Sequence, residues 1–397
     1  MMKALLDTPD TVGAAELLRP EGDVAEAVAR AAWTVIAEPG DAVAGHLIAE
    51  LGARAALEFA LGDFPGALSA PDAGPGTVAH RALADARARW RPRADPRSVR
   101  DALRGACEVD ATFLIPGDQN WPVSLDDLGA HAPIALWVRG RSELLVADPR
   151  VAIVGARASS AYGDHVAAEL AGDLAATGAV VVSGGAYGID GSAHRAALGV
   201  QGSTVAFLAG GVDRAYPAGH QALLRNISEQ GAVVSEPPCG TAPTKWRFLA
   251  RNRLIAALGS ATVVVEADWR SGSLNTAGHA AALGRPLGAV PGPVTSASSA
   301  GCHRLLREYD AQCVTSAAEV RELWGGRDGS ATTSTAADPD RVRLLDAMSA
   351  RSRVPVSELA RRSGLAPDRV RAILGVLELE GDALHDEGGW RRAPGRP

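Results

Sequence analysis

From Asp23 to Leu61 apolar residues recur at three- and four-residue intervals, as at Val24, Val28, Ala31, Ala32 and Ile36. That period predicts helices, which Gly40-Asp41 and Gly52 break into short pieces. Pro65 to Pro75 is a Gly/Pro-rich break, and residues 80–104 are Arg- and Ala-rich, with helix expected on either side of Pro92 and Pro96. Residues 1–105 therefore read as a compact helical module with no constellation of chemical residues, a structural or interaction module. Residues 106–140 form a bridge, with short strands at 112–116 and 134–138 and a turn in which Trp121 is a packing anchor. The pattern then changes. Short branched-aliphatic runs at 151–154, 179–183, 203–208, 232–235, 261–266, 287–290 and 312–315 alternate with segments of helical period. Val166, Leu170 and Leu174 mark one such helix, ended by Gly178, and Leu223, Leu224 and Ile227 mark another, ended near Gly231. Apolar runs of this kind are buried on both faces, so the beat predicts an α/β fold with a parallel, Rossmann-like sheet over 106–325. Residues 326–340 are small and polar, a linker. Residues 341–397 show three short helical periods and a hairpin around Gly381 and Gly389, a winged helix.

Composition narrows the class. The chain has 397 residues, 47% hydrophobic and 22% charged, with a formal net charge of -6. That length predicts two or three domains of a soluble globular protein. Four dispersed cysteines, with no C-x-x-C, suggest neither a metal site nor a disulfide framework. The first residues carry acids and prolines where a secretory signal needs an apolar run, and no stretch reaches membrane-spanning length. A cytoplasmic protein without membrane contact is the expectation.

Against this acidic background, 244–253 (TKWRFLARNR) holds four cations and no acid. Lys245 is one of two lysines in the chain; the other is Lys3. Phe248 follows it by three residues, so the two share a helical face. A cation beside an aromatic ring suits a single-stranded nucleic acid, with the cation on a phosphate and the ring against a base. The competing reading is an amphipathic helix with Phe248 in the core and its charges in water.

The strand ends carry the remaining signals. They read Gly155-Ala-Arg157, then Ser183 to Asp190 (SGGAYGID) with Gly184 at its head. Gly210 to Asp213 (GGVD) leads to Tyr216-Pro217, and Ser235 to Pro238 (SEPP), Glu266 followed by 271–277 (SGSLNTA), and Pro291-Gly-Pro293 complete the set. Ligands of open parallel sheets bind at strand carboxyl ends, and glycine turns that open helices offer amide donors to anions. Several such turns on one edge predict a phosphate-lined groove. Gly155-Ala-Arg-Ala-Ser-Ser is not a dinucleotide fingerprint, and no Walker A sequence is present, so no cofactor is expected. Arg157 suits an incoming phosphate or a structural salt bridge. Asp190, His194 and Glu266 are either acid–base candidates or, for the first two, a helix cap and a packed histidine.

VAIVGAR, VVSGGAYGIDGSAH, TVAFLAGGVDRAYP, VVSEPP, the F-x-x-RNR run at Phe248–Arg253, SGSLNTA and the PGP turn, in this order, resemble the DNA processing protein A family, also called DprA or Smf. The match covers about 106–325, and the SAM-like helical front and winged-helix tail also resemble variants in that family. The resemblance implies an extended Rossmann fold without catalytic activity, metal or cofactor. It implies a dimer that binds single-stranded DNA and loads RecA recombinase in natural transformation. Arg157 falls on the family's phosphate-contacting arginine, Lys245 and Phe248 on its lysine and base-stacking aromatic. Gly184, Arg247, Arg251, Asn252 and Arg253 complete the expected DNA-binding set, with bracing of the groove as the alternative role for Arg251 and Arg253. Gly185 departs from the family, which more often has a bulkier apolar residue there. The alternative is a nucleotide-monophosphate hydrolase using Asp190 or Glu266. A third reading is a transcription regulator led by the winged helix, although the near-equal acids and bases of 338–397 leave duplex binding and protein contact equally open.

Overall fold

The structure, a computed structural model, describes residues 6–19, 22–62, 78–325, 339–350, 352–386 and 388–393. The Pro65–Pro75 break and linker residues 326–338 lie outside the described residues. The chain divides into two compact units, one through Gly326 and one from Arg327.

Among the described residues the front of the first unit holds the helices α1 (Pro9–Leu18), α2 (Val24–Ile36), α3 (Ala42–Leu51), α4 (Ala53–Leu61), α5 (Val78–Trp90) and α6 (Pro96–Glu108). Their starts follow from capping. Asp23 accepts from the Glu26 N–H at the head of α2, and Asp41 from the Val43 and Ala44 N–H groups at the head of α3. Asp41 also accepts from the indole of Trp90, whose ring meets Trp33 edge-on with centroids 5.1 Å apart. Trp33, Leu57 and Leu103 pack in one core with Phe113, Trp137, Leu208 and Val233 from the sheet and Leu224 from the helix Gln221–Gln230. Each large side chain so buried contributes about 1.5–3 kcal/mol. The helical front is thus built onto the sheet and does not enclose a core of its own.

The sheet comprises β1 (Ala111–Leu114), β2 (Leu136–Gly140), β3 (Arg150–Val154), β4 (Val180–Gly184), β5 (Thr204–Leu208), β6 (Ala232–Ser235), β7 (Ala261–Val264), β8 (Leu287–Ala289) and β9 (Gln312–Cys313). Their order is β1-β2-β6-β5-β4-β3-β7-β8-β9. Strands β3 to β9 pair in parallel, while β1 and β2 add antiparallel at one side. The central strands are buried along their length, as their aliphatic runs require. Crossover helices α7 (Ala161–Ala176), α8 (Ile189–Gly199), α9 (Gln221–Gln230), α10 (Lys245–Leu258), α11 (Ser273–Ala282) and α12 (Ala300–Glu308) follow, then α13 (Ala317–Glu322). From β3 the chain winds outward through β4, β5 and β6, then returns to β7 on the other flank of β3. The crevice between the carboxyl ends of β3 and β7 is the switch point at which such sheets bind ligands. Trp121 is buried and donates to Asp126, the anchor its sequence setting predicts.

The second unit has α14 (Pro339–Ala347), α15 (Val356–Ser363), α16 (Pro367–Glu380) and a hairpin of β10 (Ala383–Asp386) and β11 (Gly389–Arg392). Leu344, Leu359, Val370, Leu374 and Leu377 form its core. Gly364 and Gly381 end α15 and α16 in the left-handed conformation that glycine adopts at least cost. Arginines of this unit are matched by acids: Arg369 to Asp340, Arg371 to Asp368, Arg341 to Asp382, and Arg361 and Arg362 to Glu358. No described helix is long and apolar enough to cross a membrane.

Candidate nucleic-acid interface

A groove of about 880 Å³ lies at the β3–β7 switch point. Residues 154–158 after β3 line it, as do Asp268 and 270–273 after β7 and the first two turns of α10. The turn after β3 must approach its neighbours closely. A Cβ on Gly155 would sit 2.6 Å from Ile189 Cγ1 and 2.9 Å from the Glu266 carbonyl. Gly188, at φ +75°, has no room for one either: it would lie 2.2 Å from the Ala156 carbonyl. These two glycines let the turns interlock and leave Arg157 exposed on the rim.

Helix α10 changes character along its length. Thr244 caps it, its hydroxyl accepting from the Arg247 N–H at 3.3 Å. Lys245 and Trp246 are exposed and Phe248 is half-buried, while 251–258 are buried. The Phe248 ring lies in the groove wall with the Arg157 guanidinium 4.8 Å from its centroid, Arg251 at 5.9 Å and the Tyr216 ring at 5.7 Å. Phe248 is therefore no core residue. Neither Arg157 nor Lys245 is ion-paired to an acid among the described residues.

The other residues expected to touch nucleic acid are held differently. Arg253 is held as a brace. Its guanidinium forms two 2.8 Å bonds to Glu236, and it donates to the His131 and Ala250 carbonyls, with both side chains only 6% exposed. Arg251 and Arg253 are two residues apart on a helix, about 200° around it, so both cannot face one groove. Arg251 lies on the groove floor, buried, donating through Nη1 to the Phe207 carbonyl at 3.1 Å while its Nε is unpaired. Gly184 makes space for Arg251: a Cβ there would fall 1.6 Å from Arg251 Nη1, and its carbonyl is bonded to His194 at 2.9 Å. Arg247 is paired with Glu38 at 2.9 and 3.0 Å and donates to the Ala242 carbonyl. The Asn252 amide donates to the Gly272 carbonyl and Asn275 Oδ1, both at 3.3 Å, tying α10 to the loop after β7.

The acid–base candidates are likewise engaged. Glu266 accepts from the Ser160 N–H and hydroxyl and from the Ser298 hydroxyl, at 2.9, 2.7 and 3.0 Å. It joins the head of α7 to the end of β7. Asp190 does not cap α8, whose cap position is Gly188; its carboxylate reaches back to the Ala186 N–H at 3.4 Å. Burial raises its pKa, and Arg251 opposes that rise. Burial in turn lowers Arg251 to about 10, against the pull of Asp190. His194 is buried, its Nε2 bonded to the Gly184 carbonyl at 2.9 Å and its Nδ1 to the Thr204 hydroxyl oxygen at 2.7 Å. Among the described residues no three His, Cys, Asp or Glu side chains gather as a metal site.

His194 sets an expectation for acid stability. Burial pushes its pKa down to about 4, from the ordinary value of 6.5. Between those values the unfolded chain binds a proton that the folded chain refuses. Stability therefore falls as pH drops through that window, by up to about 3 kcal/mol from this residue. Urea denaturation of wild type and His194→Asn across the window measures it. An equally steep decline in both proteins would remove His194 as the cause.

Sequence reasoning passed over Tyr216 as a wall of the Phe248 site, and its signal was the aromatic that follows GGVDRA. It passed over Trp269 and Arg270 in the loop after β7 as well.

The sequence model of the family described as DNA recombination-mediator protein A matches residues 112–325, and that of the DprA winged helix domain matches 329–389. A putative DNA processing protein DprA of Mycobacterium tuberculosis is 47% identical over 299 residues, 70% of this chain and 76% of that one. Protein Smf of Escherichia coli is 37% identical over 289 residues, 70% of this chain and 77% of that one. The crystal structure of DNA processing protein A from Streptococcus pneumoniae superposes with a TM-score of 0.53 at 34% identity, over 62% of this chain and 83% of that chain.

Proposed function

We propose that this chain, which belongs to the DNA recombination-mediator protein A family, holds single-stranded DNA in the β3–β7 groove as a homodimer and passes it to RecA recombinase, with no chemical step of its own. The observation that carries the reading is the Phe248 ring in the groove wall with the Arg157 guanidinium over it and Lys245 on the same lining, neither cation paired to an acid among the described residues. A base stacks on the ring while the two cations meet the flanking phosphates. Arg157 already lies over Phe248, so a strand entering the groove draws its guanidinium onto a phosphate. Arg251 adds positive charge beneath. Duplex DNA keeps its bases stacked on each other and cannot offer one to Phe248. Two grooves in a dimer would raise the avidity for long strands. Glu266, Asp190 and His194 are occupied by bonds that hold the fold, which supports a binding role over hydrolysis. The place of action is the cytoplasm, in transformation or general recombination.

The test is anisotropy of a labelled oligothymidylate beside its matched duplex. Tight single-strand binding that weakens with salt is expected, with duplex binding far weaker. Equal affinity for both would sink the mechanism. RecA assembly on a strand precoated with this protein tests delivery; an unchanged assembly rate would remove that part.

The groove also carries a restraint. Burial alone would raise the Glu38 pKa, but bonds and charges from Arg247 and Arg93 hold it below its ordinary value. As an anion it neutralises Arg247 at the edge of α10. Glu38→Gln is expected to tighten oligothymidylate binding by about two- to fivefold at low salt and little at high salt. Its stability should change by about 1 kcal/mol or less, since the pair is half-exposed. Unchanged affinity at low salt would mean Arg247 lies outside the strand's reach.

A further inference from the structure

The loop between β7 and α11 holds an aromatic that the groove as described does not use. Trp269 is 54% exposed, flanked by Asp268 and Arg270, which line the groove. It is no frayed side chain. The Arg304 guanidinium of α12 lies 5.1 Å from its ring centroid and 5.8 Å from that of Tyr309, a cation contact to each ring. Arg304 is itself bonded to Glu308 at 2.7 Å, which fixes the guanidinium against the indole. An indole half in water adds little to folding, yet this one is held upright by a cation. Arg270 is exposed and not ion-paired to an acid among the described residues. The opposing charge at the site is Asp268, whose Oδ1 accepts from the Trp269 N–H.

We propose that Trp269, steadied by Arg304, is a second base-stacking subsite for single-stranded DNA, with Arg270 as its phosphate contact. The inference rests on the groove reading above and extends it. Phe248 stands on the α10 side of the groove and Trp269 on the loop after β7, between two residues that line it, so a strand stacked on both rings would leave the groove over that loop. The ligand class is a neighbouring nucleotide of the same strand, of any base, because stacking uses the face that every base has. Arg304 is committed to the ring and to Glu308. Phosphate contact therefore falls to Arg270.

The experiment is anisotropy on oligothymidylates of increasing length, comparing wild type, Trp269→Ala, Trp269→Tyr and Phe248→Ala, each checked by thermal melting. The shortest strand that binds should not distinguish Trp269→Ala from wild type. Longer strands should bind Trp269→Ala about tenfold more weakly, with Tyr restoring most of the loss. Phe248→Ala should weaken every length. If Trp269→Ala matches wild type at all lengths while Phe248→Ala fails, the subsite is absent and the groove reading stands. If wild type binds no single strand, both fall. Fluorescence gives an independent readout in a Trp246→Phe background, which removes the other strongly exposed indole. Strand binding should quench emission there, and adding Trp269→Phe should abolish most of that quench. A quench that survives Trp269→Phe would overturn the proposal.

Discussion

Phe248→Ala is expected to weaken oligothymidylate binding by about ten- to a hundredfold while leaving the protein folded. A stacked base contributes about 1–3 kcal/mol by alanine substitution, and tenfold in affinity is about 1.4 kcal/mol. The upper part of the range is expected here because the ring has two tasks. It offers its face to the base, and it holds the Arg157 guanidinium 4.8 Å away over the groove. Removing the ring lets Arg157 sample positions away from the phosphate path. Lys245→Ala should behave differently. It removes one phosphate contact, so its loss should be greatest at low salt, and the slope of log affinity against log salt should become shallower by about 0.7. The two variants therefore separate by salt titration: the stacking part of the Phe248→Ala loss persists at high salt, whereas the Lys245→Ala loss fades as salt rises. Far-ultraviolet circular dichroism and a thermal melt establish folding first, because Phe248 is half-buried. Binding unaffected by either change would displace the strand from this groove altogether.

Arg253→Ala is expected to lower stability by about 3–5 kcal/mol, the usual result of leaving one member of a buried ion pair alone. Glu236, 5% exposed, would keep a single donor among those recorded, the Gly40 N–H at 3.2 Å, and the His131 carbonyl would lose its bond from Arg253. The arginine thereby joins α10, the end of β6, the segment before β2 and the turn that opens α3. A melt should show a fall of about 10 °C for a unit of this size. Arg253→Met combined with Glu236→Leu should recover much of that loss, since apolar residues of similar volume replace such a pair well. Below the melting transition, Arg253→Ala should still bind single strands within a few-fold of wild type. A variant that melts normally yet does not bind would place Arg253 on the strand and overturn its assignment as a brace. The phenotypes of Phe248 and Arg253 are thus expected to be opposite, although the residues lie within one helix.

The contrast between these neighbours shows where reading the chain in one dimension succeeds. Runs such as VAIV, VVVSG and ATVV are too apolar to lie anywhere but inside a sheet, and the helical periods between them require crossovers. Parallel strands with glycine turns at their ends place any ligand at the switch point. Period and turn chemistry are local properties, so the sequence alone determined the α/β architecture, the winged helix and the edge of the sheet where a site belongs. It also singled out Lys245 and Phe248 as sharing a face, because that follows from helix geometry. Tertiary packing decided what remained. Which of Arg247, Arg251 and Arg253 faces the groove depends on how α10 is rotated against the sheet, and that rotation is set by contacts with Glu38, Phe207 and Glu236. Gly184 looks like any phosphate-turn glycine until Arg251 is seen to occupy the space beside it. The helical front reads as a separate module because its periodicity is self-contained, but its apolar faces are completed by residues beyond it, Phe113, Trp137 and Val233 of the sheet among them. The stack of Arg304 on Trp269 joins residues 35 positions apart, a contact that no local pattern encodes.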